Sequence, residues 1–123
     1  MSEDVNGKMI VTCNNDAADS VMSALVMGAA IAACGDEVLM FFQPGAARAL
    51  VKGELEKYQN MTGMPDPIDL YDAILTLDGR FILCELGLPN KAIQAEELRE
   101  GVEVMMASSF MFEAEGARLA FSY

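Results

Sequence analysis

Glu37-Val-Leu-Met-Phe-Phe42 is apolar at five successive positions, with no polar residue on either parity of the run. A strand with one face in water alternates polar and apolar side chains. An unbroken apolar run fits a strand buried on both faces, as in a parallel sheet covered by helices. Immediately before it, Ser20 to Gly35 carries no charge and is bracketed by Asp19 and Asp36. Asp19 or Ser20 is the expected cap of a helix reaching Cys34, with Gly35 as the residue that stops it. This run falls short of the roughly 20 apolar residues that a bilayer span requires. Its helix is apolar nearly all round, so one face belongs on the sheet. The other needs cover from a neighbouring helix or a second subunit.

Working outward, Lys8-Met-Ile-Val-Thr-Cys13 reads as a first strand, ended by the turn-forming Asn14-Asn15-Asp16. After the second strand, Gln43-Pro44-Gly45 turns the chain into a helix from about Ala46 to Lys52, stopped by Gly53. Glu54 to Pro67 is a loop with a possible helical turn over Glu54 to Tyr58. Ile68 to Leu77 has a dense helical stripe, and Gly79 separates it from a third strand, Arg80-Phe-Ile-Leu-Cys84. A helix near Ala92 to Arg99, a strand over Val102 to Met106, a short helix from Ser108 to Glu115 and a closing strand over Arg118 to Ser122 complete the chain. The brevity of the last helix leaves the direction of the closing strand open. Alternating strands and helices imply right-handed crossovers. Residues 1–123 are therefore expected to form a single α/β domain. Its expected architecture is three-layer α/β/α, with a mostly parallel, five-stranded, doubly wound sheet.

The 123 residues are 53% hydrophobic and 22% charged, a globular composition. Nineteen acids against eight bases, with no histidine, give a net charge of −11. Such a chain repels phosphate, which argues against nucleic acid or an anionic membrane as a partner. Met1 to Lys8 carries Glu3 and Asp4 and no long apolar core, unlike a secretory signal. Three cysteines do not make a disulfide framework. A cytoplasmic location is expected.

In an open parallel sheet, sites gather at the carboxyl ends of the strands. Cys13 and Cys84 end strands there, whereas Cys34 ends a helix running the other way and is expected to be buried and inert. Each of the two strand-end thiols is either a packed core residue or a nucleophile assisted by a following helix terminus. Glu85 beside Cys84 disfavours a thiolate. Without histidine there is no Cys-His dyad and no serine triad. No Cys-x-x-Cys pair, dinucleotide fingerprint or phosphate loop occurs. No metal and no cofactor are expected. Asp66, Asp69 and Asp72 read as helix-start and solvent-face charges. The ten methionines read as adaptable packing, and Phe41, Phe42, Phe110 and Phe112 as core or interface.

The chain resembles the DsrE/DsrF-like sulfur-relay family, also called peroxiredoxin-like. The likeness runs from Ile10-Val-Thr-Cys-Asn-Asn-Asp16 through Ala24 to Gly35 and the Phe41-Phe42 strand. It continues in Gly45 to Lys52, Cys84 with Leu86-Gly-Leu88, Val102-Glu-Val104 and Ser108-Ser109-Phe110. The resemblance implies a trimer or hexamer that moves sulfane sulfur as a cysteine persulfide. Cys84 matches the sulfur-accepting position, and protein donor and acceptor thiols would be its partners. Cys84 is followed by Glu85 and Leu86, where members bearing the cysteine often continue with small polar residues. An alternative is a non-catalytic oligomeric binding or regulatory module in which Cys84 is structural. A third reading is a small-molecule pocket at the strand ends. Asn14, Asn15, Gly45 and Cys13 are the expected substrate-binding residues beside Cys84.

Overall fold

A computed structural model describes residues 7–123. Residues 1–6, part of the acidic start read above as unlike a secretory signal, lie outside the described residues. The strands are β1 (Lys8–Cys13), β2 (Glu37–Phe42), β3 (Arg80–Cys84), β4 (Val102–Met105) and β5 (Ala117–Ser122). The α-helices are α1 (Ala18–Ala33), α2 (Pro67–Thr76), α3 (Gly87–Asn90) and α4 (Ala107–Glu113), and three 3₁₀ segments span Pro44–Leu50, Leu55–Tyr58 and Ala95–Glu97. The sheet order is β4-β3-β2-β1-β5, and every pairing is parallel, β5 against β1 included. The direction left open by the sequence is thus settled. The chain steps one way from β1 to β4, then returns over the opposite face to lie outside β1. Right-handed crossovers put the earlier helices on one face and α4 on the other.

Strand alternation divides the core in two. Met9, Val11, Cys13, Val38, Met40, Phe42, Phe81 and Leu83 face the larger layer. There α1 buries Val21, Met22, Leu25 and Ile31 and packs on β1, β2 and α2. Each such side chain contributes about 1.5–3 kcal/mol of burial. Helix α2 supplies the second cover that α1 was expected to need, and the stripe left exposed is mostly small: Ser23, Ala30 and Ala33 beside Val26. Ile10, Leu39, Phe41, Ile82 and Cys84 face the other way. Among the described residues they are covered by α4 through Phe110, with Ala114 just past its end.

Several local expectations are corrected. Ala17, not Asp19 or Ser20, is the N-cap of α1, because Asn15 Oδ1 already accepts the Ala17 N–H at 2.7 Å and sets the turn. The helix expected after β2 is present, but it is a 3₁₀ helix over Pro44–Leu50, begun by Pro44 two residues earlier than Ala46 and ended before Lys52. Of the helix expected near Ala92 to Arg99 only a 3₁₀ turn at Ala95–Glu97 forms, since Ala92 is left-handed at φ 56°. A helix forms earlier at Gly87–Asn90, and Leu98 joins an antiparallel bridge to Val51. Cys34 is exposed rather than buried, in company with Ala33 and Gly35, where the last turn of α1 runs out into solvent.

Candidate functional site

Cys84 closes β3 at the carboxyl edge of the sheet, in register with Met105 of β4. Its backbone turns away at once, the Glu85 N–H donating to the Met105 carbonyl at 2.9 Å. Gly87 then lets α3 pack tightly, since a β-carbon there would lie 2.8 Å from Ala47 Cβ. The thiol does not emerge into solvent. Cys84 is 4% exposed, within the cluster of Ile10, Leu39, Phe41, Ile82 and Phe110. The Phe110 ring stacks on Phe41 with centroids 3.9 Å apart and planes 7° from parallel.

Beside that stack an open groove of about 380 Å3 reaches the surface, lined by Thr12, Phe41, Gln43, Ser108, Phe110 and Met111. Leu86 and Met106, just past the ends of β3 and β4, are exposed apolar side chains at the same edge, and Met111 at 68% and Phe112 at 79% stand exposed along α4. From the sequence, the methionines were expected to serve as adaptable packing, and Phe110 and Phe112 as core or interface. The structure divides them, placing Phe110 inside and Phe112 outside. Gln43 was read only as a turn residue, and nothing in its sequence context marked it as a groove wall.

Cys13 also sits at the carboxyl edge but on the opposite face of the sheet from Cys84, fully buried against the α1 layer. Its thiol donates to the Asn15 carbonyl at 3.3 Å. Burial, aided by the negative charge of Asp16, pushes this thiol above the ordinary range, and the Asn15 contact opposes that only in part. Less thiolate at neutral pH means a poorer nucleophile. Asn14, Asn15 and Gly45 do meet: the Gly45 N–H donates to Asn14 Oδ1 at 2.8 Å, and Asn15 turns the chain into α1. Tyr58 ties the loop down by donating to the Asp16 carbonyl at 2.6 Å. The four residues grouped with Cys84 by sequence thus hold one loop junction, and Cys13 is separated from Cys84 by the sheet itself.

A larger open cleft, of about 590 Å3, lies elsewhere, between Lys52, Glu56, Tyr71, Asp72, Arg99 and Glu100. Its Arg99 is engaged by Glu56 at 3.2 Å and stacks 5.1 Å over the Tyr71 ring, whose hydroxyl donates to the Glu100 carbonyl. Burial raises the Tyr71 pKa to about 12, so its phenol is no neutral-pH base. Among the described residues no group of three or more acidic, cysteine or histidine side chains is placed to hold a metal. Nor is any helix among them long and apolar enough to cross a membrane.

With this geometry in hand, two solved structures are similar over nearly the whole chain. The ychN protein from E. coli aligns with a TM-score of 0.75 at 15% identity, covering 96% of this chain and 99% of its own. A protein of unknown function, MTH1491 from Methanobacterium thermoautotrophicum, aligns with a TM-score of 0.75 at 12% identity, covering 96% of this chain and 100% of its own. The fold is shared with both. No family model and no curated protein sequence matches the chain.

Proposed function

We propose that this chain is an intracellular sulfur-relay protein that carries sulfane sulfur as a persulfide on Cys84. The observation that carries the reading is the place of Cys84. It ends a strand at the sheet edge where loops gather, next to an open groove and close to the exposed apolar Leu86 and Met106, which suit a docking protein. The DsrE/DsrF-like resemblance and the shared fold support it. In the transfer, the Cys84 thiolate attacks the outer sulfur of a donor persulfide R–S–SH. The donor S–S bond breaks, R–S⁻ leaves with the electron pair, and Cys84–S–SH keeps the sulfur and its proton. An acceptor thiolate then attacks that outer sulfur and releases Cys84 as thiolate. No external oxidant or reductant is consumed.

Burial of Cys84 favours a second reading, a non-catalytic oligomeric module in which this thiol is packing. The two are separated by incubating the protein with a persulfide donor and measuring the mass of the Cys84 peptide. The relay reading expects one added sulfur, absent from Cys84→Ser. No gain on Cys84 under conditions that load a known carrier removes it and leaves the module. Both readings take the exposed apolar side chains of α4 as a contact between copies of this chain, the expected trimer or hexamer.

A further inference from the structure

The geometry points to α4 as a hinged lid over Cys84, fixed at its carboxyl end and free to unwind at its amino end. The inference takes from the proposed function only that Cys84 is the thiol to be reached. At the carboxyl end, Lys8 Nζ donates to the Glu113 carbonyl at 2.7 Å and to the Glu115 carbonyl at 3.1 Å. The Glu113 carbonyl is a helix-end group with no partner within the helix, and Glu115 lies two residues past that end. Arg80 Nη1 donates to Glu113 Oε1 at 2.6 Å, while the rest of the same guanidinium holds Glu103 through two bonds of 2.9 and 2.8 Å. Helix, β3 and β4 are thereby tied at one point.

Among the described residues no side-chain hydrogen bond ties the other end. Met106 is the N-cap, and its side chain cannot accept from the N–H groups of the first turn, which no other side chain caps. What seats this turn is the Phe110 ring on Phe41, in the cluster that encloses Cys84. The adjoining groove is open, and Phe110 is one of its walls. Unwinding Ala107 to Phe110 moves the ring into space that already exists and leaves the anchored end in place. A seven-residue helix with one buried ring is the kind of element that opens locally, well below the free energy of global unfolding.

The test is alkylation of the assembled native protein by iodoacetamide, read for each cysteine by peptide mass spectrometry. Exposed Cys34 serves as the internal reference. Cys84 in the wild type is expected to label at least about ten-fold faster than global unfolding allows, with a rate nearly flat in low urea. Phe110→Ala should raise that rate about ten-fold or more. Met106→Asp gives the first turn a cap and should slow it about five-fold without altering Cys34 labelling. Cys84 labelling that follows global unfolding, with the same urea slope, would overturn the lid. So would a Met106→Asp rate equal to wild type, which stays informative if Phe110→Ala fails to fold. Local opening without sulfur uptake from a donor would sink the relay and spare the lid, whereas sulfur uptake at only the global-unfolding rate would do the reverse.

Discussion

The two strand-end thiols differ by one parity step in their strands, and that step decides their chemistry. Cys13 faces the layer under α1, where burial disfavours its thiolate. Cys84 faces the thin layer under one short helix. Both end an apolar strand at the same edge of the sheet, so the sequence could identify the pair but not which layer each one faces. Only the resemblance singled out Cys84. The loop junction at Asn14 and Gly45 was legible as a cluster of turn residues, but its use was not. A β-carbon on Gly45 would overlap the Asn14 backbone carbonyl, and backbone cannot swing aside as a side chain can. Gly45→Ala is therefore expected to lower stability by about 2–4 kcal/mol. Urea unfolding reads this, and a loss under about 0.5 kcal/mol would show that the junction yields.

At the scale of elements, regular pieces were read well and irregular ones poorly. The bounds of β1, β2 and β3 match the apolar runs residue for residue, because a doubly buried strand must be apolar throughout. The stretch from Leu86 to Arg99 was misplaced. Its course depends on a left-handed Ala92, a Gln94–Glu97 capping box and a bridge to Val51, none of which has a periodic signature. The fastening of α4 was equally hidden, since Arg80, Glu103 and Glu113 come from three separate elements. Arg80 hydrogen bonds hold the Glu103 carboxyl below the ordinary carboxylate range. A carboxyl whose pKa is lowered by folding contributes stability above its unfolded value of about 4.3. That contribution disappears as pH falls through the lowered value. Because both glutamates are more than a third exposed, Arg80→Met is expected to cost only about 1 kcal/mol at neutral pH. It should also flatten the acid side of the stability curve. Urea midpoints of wild type and variant from neutral pH down to the acid limb test both statements, and parallel curves would contradict the second.

For the molecule as a whole, the asymmetry of the two layers has the largest consequence. Helices α1 and α2 cover each other and one face of the sheet, while α4, alone among the described helices on the other face, leaves Met111 and Phe112 outside. Self-association through this face is expected to give a mass above the monomer in light scattering. Replacing Met111 and Phe112 together by Ser should shift that mass toward the monomer, and a monomeric wild type at micromolar concentration would dismiss the assembly. The apolar helix at Val21 to Ala33 had suggested the need for a partner, yet the chain covers most of it internally. By itself, the sequence determined the mostly parallel α/β architecture and the sheet edge at which Cys13 and Cys84 end their strands. Apolar periodicity and turn residues are local properties, and crossover handedness follows from chain chirality. Tertiary structure alone decided which face each cysteine meets, which helix covers Cys84 and which apolar side chains stay outside. Those outcomes depend on the order β4-β3-β2-β1-β5 and on contacts between residues far apart in the chain.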